Sequence, residues 1–250
     1  MRFRSFVATL AAVMCLGVAH AQPVINYTGY NRLVSSHVKT DQVDYNGFIG
    51  AREFREFIQI IAQTDPETLP SKNAKLAFYI NAYNALTIQA VLNYWPRIKS
   101  VKTVVKPDFA FFKQKIHTIG GKKVSLDEIE HQIIRPKFKE PRIHAALNCA
   151  SVSCPPLLPF AFTPDALDSQ LDRAFTLFAN DPKRNMIDAP SQTIRLSKVM
   201  DWYKADFAVA GGPAKFMARF VTNPAKKKAL ETATEIDFLE YNWAINKADH

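Results

Sequence analysis

Hydrophobic residues recur at helical spacing along much of the chain. The stretch from 47 to 63 carries its aromatic and aliphatic residues on one face, which predicts an amphipathic helix. A longer helix is predicted to begin at the Ser71 cap and to end near Tyr94, where Pro96 stops it. Because this second helix is apolar nearly all round, we expect it to be buried.

A hairpin and a capped helix follow. Gly120-Gly121 between the short segments Ile116–Ile119 and Lys122–Val124 is a strong signal for a tight two-residue turn. Ser125 and Glu128 then form the pattern of a capping box, and Pro136 is expected to end the helix that they open.

Later segments predict strands among further helices. The small and apolar residues 142–149 favour a buried strand, and the alternation over 239–246 favours a half-buried one. Residues 193–196 predict a short strand, and helices are expected to begin at Thr163 and Ser197. The predicted fold class is α+β, a helix-rich single domain around a long buried central helix with a small, mainly antiparallel sheet.

The amino terminus resembles a secretory leader. Two arginines precede a run of about 13 apolar or small residues, and Ala19-His20-Ala21 fits a cleavage site. We therefore expect residues 1–21 to be a signal peptide cut after Ala21, and residues 22–250 to form one globular domain that is periplasmic or secreted. No run of 18 apolar residues follows the leader, so no transmembrane segment is expected in that mature chain.

Composition narrows the function classes. With 48% hydrophobic and 12% aromatic residues, the chain is too apolar to be disordered. The net charge of +9 is densest at Lys226-Lys227-Lys228, a pattern typical of a solvated helix face or of an anionic envelope partner. No nucleic-acid motif accompanies it, and the eight scattered glycines form no phosphate loop, so neither nucleic acid nor a nucleotide cofactor is expected.

Several polar residues interrupt apolar elements and need partners if they are buried. Asn81 and Asn84 lie on one face of the long helix, where they either tie loops to the helix or line a site. Glu130, His131 and Arg135 lie on the capped helix, either on a solvated face or on the polar wall of a cleft.

The third candidate segment contains His144, Cys149 and Cys154. A regular strand would point His144 and Cys149 to opposite faces, so they can meet only if the chain bends before Cys149. In an oxidising compartment Cys149 and Cys154 are candidates for a disulfide bridge.

Four blocks of sequence together resemble the DUF547 family, a domain family of unknown function. They are Lys75–Leu86, Ser125–His131, Arg142–Pro156 and Leu239–Asn246, with Tyr79 where the family usually has tryptophan. The resemblance spans about residues 65–246, and it implies no established activity.

Two accounts of the polar residues remain open. In the first, the chain is a binding module for an unknown ligand or envelope protein, the cysteines are bridged, and a pocket is lined by Asn81, Tyr83, Asn84, Glu130, Arg135, Ser151, Ser153 and Cys154. In the second, it is a thiol hydrolase or acyl transferase acting on peptide or cell-wall amide bonds. Cys149 would then be the nucleophile and His144 or His131 the general base, and Asn81, Asn84 or Glu130 would orient that base.

A metal site is a third, weaker interpretation. His131, His144 and the two later cysteines supply suitable atoms, but their spacing matches no common metal motif. No cofactor is expected, and the sequence does not fix the oligomeric state.

Overall fold

A computed structural model describes residues 24–248; the predicted leader, residues 1–21, lies outside the described residues. The α-helices are α1 (Thr28–His37), α2 (Arg52–Gln63), α3 (Lys72–Leu92), α4 (Ala110–Lys113), α5 (Leu126–Glu128), α6 (Arg135–Phe138), α7 (Leu167–Ala179), α8 (Lys198–Trp202), α9 (Pro213–Ala218) and α10 (Pro224–Thr232). A π-helix, Ile129–Ile134, joins α5 to α6, and short 3-10 helices lie at Tyr45–Phe48, Pro66–Thr68, Pro141–Ala145 and Ala208–Ala210. Within the described part, no helix is long and apolar enough to cross a membrane.

The strands are short and form three separate sheets. They are β1 (Val38–Lys39), β2 (Gln42–Val43), β3 (His117–Ile119), β4 (Lys122–Val124), β5 (Met186–Asp188), β6 (Thr193–Leu196) and β7 (Asp237–Phe238). β1 pairs with β2 and β3 with β4, both antiparallel, whereas β6 lies between antiparallel β5 and parallel β7. The α+β class is confirmed, but the strands do not join into one sheet.

Helix α3 begins as its sequence predicts. The Ser71 hydroxyl accepts a hydrogen bond from the amide of Ala74 at 3.0 Å. Every residue from Leu76 to Ile88 is buried, and the helix packs against α2, α5 and the π-helix. The helix that was predicted over 47–63 is shorter, because Gly50 takes a positive φ of 68° between the first 3-10 helix and α2.

The predicted hairpin and capping box are both present. Gly120 and Gly121 turn the hairpin with φ angles of 54° and 77°. The Ser125 hydroxyl accepts from the amide of Glu128 at 3.1 Å, and the Glu128 carboxylate accepts from the amide of Ser125 at 3.0 Å. These features position the helix that carries Glu130.

That helix does not end at Pro136, which corrects the prediction. It continues as α6 to Phe138 and ends where Lys139 takes a left-handed φ of 51°. In a regular α-helix a proline ring collides with the carbonyl four residues earlier. The wider winding of the preceding π-helix relieves that contact.

The prediction of a strand over 142–149 was wrong. The segment forms one 3-10 turn, Pro141–Ala145, followed by a loop. Pro141 opens the turn, and the Glu140 carboxylate accepts from the amide of Arg142 at 3.1 Å. The predicted strand over 239–246 is reduced to isolated bridges from Ala244 and Ile245.

Candidate functional site

A cavity of about 280 Å³ lies between four parts of the fold. They are the capped helix that begins at Leu126, the cysteine loop (residues 146–156), α8 and the carboxy-terminal segment (residues 239–248). Its walls are formed by Tyr83, Phe109, Phe112, Lys113, Asp127, Glu130, His131, His144, Leu147, Cys149, Cys154, Pro155, Val199, Trp202, Tyr203, Tyr241 and Trp243. Because these residues come from well-separated parts of the chain, the cavity is a product of the tertiary fold.

Asn148 shapes the loop that carries Cys149. Its side-chain oxygen accepts from the amide of Ala150 at 3.0 Å, and its side-chain nitrogen donates to the carbonyl of Pro155 at 2.9 Å. Ala150 is held at a positive φ of 64°, a strained conformation for a residue with a Cβ. The turn brings both ends of the loop together at the cavity.

The carboxy-terminal segment closes this loop from outside. Val152 donates from its amide to the carbonyl of Ala244 at 2.8 Å. Ser153 donates from its amide to the carbonyl of Asn242 at 3.2 Å, and its hydroxyl accepts from the amide of Asn242 at 2.9 Å. These bonds fix Tyr241 beside the thiol of Cys149.

Both cysteines are free thiols, so the bridge considered from sequence is not formed in the structure. Cys149 Sγ lies 3.1 Å from Ser151 Oγ and 3.2 Å from Tyr241 Oη. Burial favours the neutral thiol, but hydrogen bonds from Cys154, Ser151 and Tyr241 outweigh it and lower the pKa of Cys149 to about 7. Burial and the neighbouring Cys149 raise the pKa of Cys154, so Cys149 ionises first.

The buried ring of His144 is held by a half-buried ion pair between Asp206 and Arg135. Its Nε2 lies 2.7 Å from Asp206 Oδ2, and its ring stacks on Tyr203 with centroids 3.8 Å apart. Arg135 donates to both oxygens of Asp206, at 2.7 and 3.0 Å. Burial would raise the pKa of Asp206, but the bonds from His144 and Arg135 hold it well below its usual range.

Burial lowers the pKa of His144, although the Asp206 carboxylate opposes that effect. The ionised carboxylate of Asp206 can only accept a hydrogen bond. Nε2 of His144 therefore carries the ring proton and donates the hydrogen bond between them. In the neutral ring Nδ1 is then an acceptor, and it lies 4.0 Å from Glu130 Oε1.

The π-helix presents Glu130 to the cavity. Glu130 is only 8% exposed, and burial together with the neighbouring Glu130 carboxylate raises the pKa of Tyr203. His131, on the outer edge, lies 3.1 Å from Arg135 Nη1 and 4.0 Å from Asp127. π-helical turns are frequent at functional sites.

Aromatic rings form the opposite wall. The Trp202 and Trp243 rings stack with centroids 5.4 Å apart, and Tyr241 lies 4.3 Å from Trp243. Phe109 meets the edge of Trp243 at 4.9 Å and has a positive φ of 66°, which is unusual for an aromatic residue. Trp202 remains 43% exposed, so the wall is open to solvent at one end.

Some of the site residues that were predicted from the sequence line the cavity. Tyr83, Glu130, His131, His144, Cys149 and Cys154 line it. Ser151 contacts it through its bond to Cys149, whereas Arg135 and Ser153 line other surface depressions.

Asn81 and Asn84 are not among the lining residues. Asn81 exchanges two hydrogen bonds with the backbone of Phe162, at 2.7 and 2.9 Å. Asn84 donates to the carbonyl of Ala146 at 2.9 Å and accepts from the amide of Asn148 at 2.8 Å. Each amide is used to tie a loop to α3.

Sequence reasoning missed Asp206 and the aromatic wall. Asp206 lies in an irregular segment after α8 with no local pattern, so only the fold brings it to His144. Tyr241 and Trp243 were recognised as apolar positions of a strand, and the high aromatic density near Trp202 was the available signal.

The dyad expected for a thiol enzyme is not assembled. No imidazole nitrogen is hydrogen bonded to Cys149 Sγ in the described part of the chain, where the sulfur instead meets two hydroxyl groups. Residues 24–248 also contain no group of three or more His, Cys, Asp or Glu side chains placed to hold a metal ion.

Comparison with known proteins gives one match. Residues 66–178 match the model of a family described as a protein of unknown function, DUF547. Neither a curated protein nor a solved structure matches the chain significantly. The matched range contains Glu130, His144 and both cavity cysteines, but Trp202, Tyr241 and Trp243 lie beyond it.

Proposed function

We propose that the chain is a binding module that holds a small molecule or a side chain with a flat apolar group. The proposal is drawn from the cavity itself, because the family that residues 66–178 match has no known function. The open aromatic wall opposite buried polar groups carries this proposal. Cavities lined mainly by apolar rings with a few fixed polar groups are typical of ligand sites.

The exposed fraction of Trp202 supports a ligand at that wall. Its ring is 43% exposed although it stacks on Trp243 and lies 4.7 Å from Tyr241. A large indole left half in water gains free energy when a ligand covers it.

A neutral aromatic probe, 2-phenylethanol, tests the proposal. In a Trp95→Phe background the fluorescence comes from Trp202 and Trp243, since the chain has 3 tryptophans. We expect a saturable change in fluorescence, and protection of Cys149 from alkylation over the same concentration range.

Trp202→Ala should weaken the binding of 2-phenylethanol at least tenfold, as expected when an aromatic contact is removed. Met186→Ala is the matched control, because Met186 is 51% exposed and does not line the cavity. A strictly linear quenching curve, or equal binding by the two variants, would overturn the proposal.

We further propose that the module acts outside the cytoplasm, on the strength of the leader pattern in residues 1–21. Mass spectrometry of the protein released from the cell envelope should find a mature chain that begins at Gln22. A chain that keeps Met1 and stays in the cytosol would contradict this.

Thiol chemistry is a second candidate function, favoured by the free Cys149 and its two hydroxyl contacts. With 4-nitrophenyl acetate, the thiolate would attack the carbonyl carbon, an S–C bond would form, and 4-nitrophenolate would leave as the C–O bond breaks. Water would then hydrolyse the thioester. Repeated turnover that Cys149→Ser abolishes supports an enzyme; release of less than one equivalent excludes it.

A further inference from the structure

We propose that the cavity selects ligands that carry a primary ammonium group on an apolar body, with Glu130 as the counter-charge. The inference rests on the proposed binding function and specifies the ligand class. It follows from an imbalance of charge and of hydrogen-bonding groups at one end of the cavity.

Glu130 is a nearly buried carboxylate without a cationic partner of its own. Among the described residues, no lysine or arginine lies within ion-pair distance of it. The guanidinium of Arg135 acts on Glu130 only from beyond ion-pair distance, because it is engaged by both oxygens of Asp206. A buried charge that lacks a counter-charge costs free energy, and a bound cation would remove that cost.

The hydrogen-bonding groups beside Glu130 favour a cationic ligand group that also donates hydrogen bonds, rather than a cation without N–H groups. His144 uses Nε2 on Asp206, which leaves Nδ1 as an acceptor 4.0 Å from Glu130 Oε1. Nδ1 has no hydrogen-bonding partner within residues 24–248. A primary ammonium has three N–H groups and can donate to the carboxylate and to the imidazole together.

The remaining walls suit the rest of such a ligand. The faces of Trp202, Tyr241 and Trp243 accommodate an apolar body, and aromatic faces also attract cations. Asp127 adds a second carboxylate one helical turn before Glu130. Lys113 is the opposing charge, but its side chain is on the exposed rim.

The charge of this site contrasts with that of the whole chain. The chain has a net charge of +9, yet the two carboxylates of the cavity face a single lysine. A cationic ligand therefore finds a favourable potential in the cavity although the chain as a whole is basic.

The test compares 2-phenylethylamine with 2-phenylethanol, which share one skeleton and differ in the ammonium group. Calorimetry at pH 7.5, where the amine is protonated, should give an affinity about tenfold higher for the amine than for the alcohol. Glu130→Gln should erase this difference, and Asp127→Asn should reduce it. Glu231→Gln removes the same charge from an exposed position on α10 and should leave the preference unchanged.

The outcomes separate the two proposals. If neither probe binds, the binding function fails. If the two probes bind equally well, the binding function stands and the ammonium preference is refuted. A preference for the amine that survives in Glu130→Gln also refutes it. If Glu130→Gln folds poorly, an undiminished preference in Asp127→Asn refutes it instead.

Discussion

The chemistry of single side chains in this protein is decided by neighbours that are distant in sequence. Cys149 is hydrogen bonded to Tyr241, whose position depends on the carboxy-terminal segment. The same thiol surrounded only by apolar atoms would have a raised pKa and little reactivity.

Alkylation of Cys149 by iodoacetamide should therefore accelerate with a midpoint near pH 7, because burial is outweighed by the hydrogen bonds from Cys154, Ser151 and Tyr241. Tyr241→Phe removes one donor and should move the midpoint about one pH unit higher. Mass spectrometry of the labelled peptide follows the rate. An unchanged midpoint would show that the hydroxyl does not stabilise the thiolate.

His117 illustrates the opposite situation. It lies on β3, only 2% exposed, and neither ring nitrogen has a hydrogen-bonding partner among the residues that the structure describes. Burial, aided by the nearby charge of Lys123, lowers the pKa of His117 from 6.5 to about 4. The neutral ring is thus favoured in the folded state.

The resulting stability is complete above pH 6.5 and is lost as the pH falls toward 4. It amounts to about 3 kcal/mol, since one pKa unit is worth about 1.4 kcal/mol. His117→Leu should remove this part of the pH dependence in urea unfolding at pH 7.5, 5.5 and 4.5. If the free energy of unfolding changes with pH by the same amount in the variant and in the original protein, His117 is not the source of this pH dependence.

At the scale of elements, α3 is connected to two loops by paired amides. Asn84 holds the segment that leads to Cys149, whereas Asn81 holds the loop at Phe162. The two side chains make equivalent bonds but support different parts of the molecule.

Asn84→Ala and Asn81→Ala should each destabilise the fold by about 2 kcal/mol or more, because each leaves a buried amide and a buried carbonyl unpaired. Only Asn84→Ala should also change the rate at which Cys149 is alkylated. Urea unfolding and alkylation kinetics measure the two effects. Equal alkylation rates in both variants would show that Asn84 does not position the cysteine loop.

Local signals in the sequence predicted the elements that depend on neighbouring residues. The Ser125 cap and the Gly120-Gly121 turn are satisfied within a few residues, and both are present. The strand prediction for residues 142–149 was wrong because small apolar residues suit any buried conformation. Pro141 and the Glu140 carboxylate stabilise a 3-10 turn there instead. Asp206 and the aromatic wall reach the cavity only through the fold.

At the scale of the molecule, the carboxy-terminal segment joins distant parts of the chain. Val43 donates from its amide to the carbonyl of Asn246 at 2.9 Å, and Tyr45 donates from its hydroxyl to the Asn246 side chain at 2.6 Å. Asn246 also donates from its amide to the carbonyl of Ala150 at 3.1 Å. One segment thus connects the amino-terminal region to the cysteine loop.

A chain that ends after Glu240 should lose the binding of 2-phenylethanol and should expose Cys149 to alkylation at a rate close to that of a free thiol. The reason is that Tyr241 and Trp243 form the wall and the bonds through Asn246 hold the loop. Calorimetry and alkylation measure both. Trp243→Ala in the full chain separates loss of the wall from unfolding; unchanged binding by the shortened chain would remove this segment from the site.

The π-helix has a consequence for the spacing of residues. Six residues, Ile129–Ile134, are wound more widely than an α-helix, so the segment contains about one residue more than an α-helical path would need. Deleting the exposed Gln132 would remove that extra residue and allow ordinary α-helical winding, and the residues on either side would keep their present directions. Arg135 would then still reach Asp206. The loss of a single codon here would therefore spare the charge network beside His144, whereas the same loss within an ordinary α-helix would rotate everything after it by about 100°.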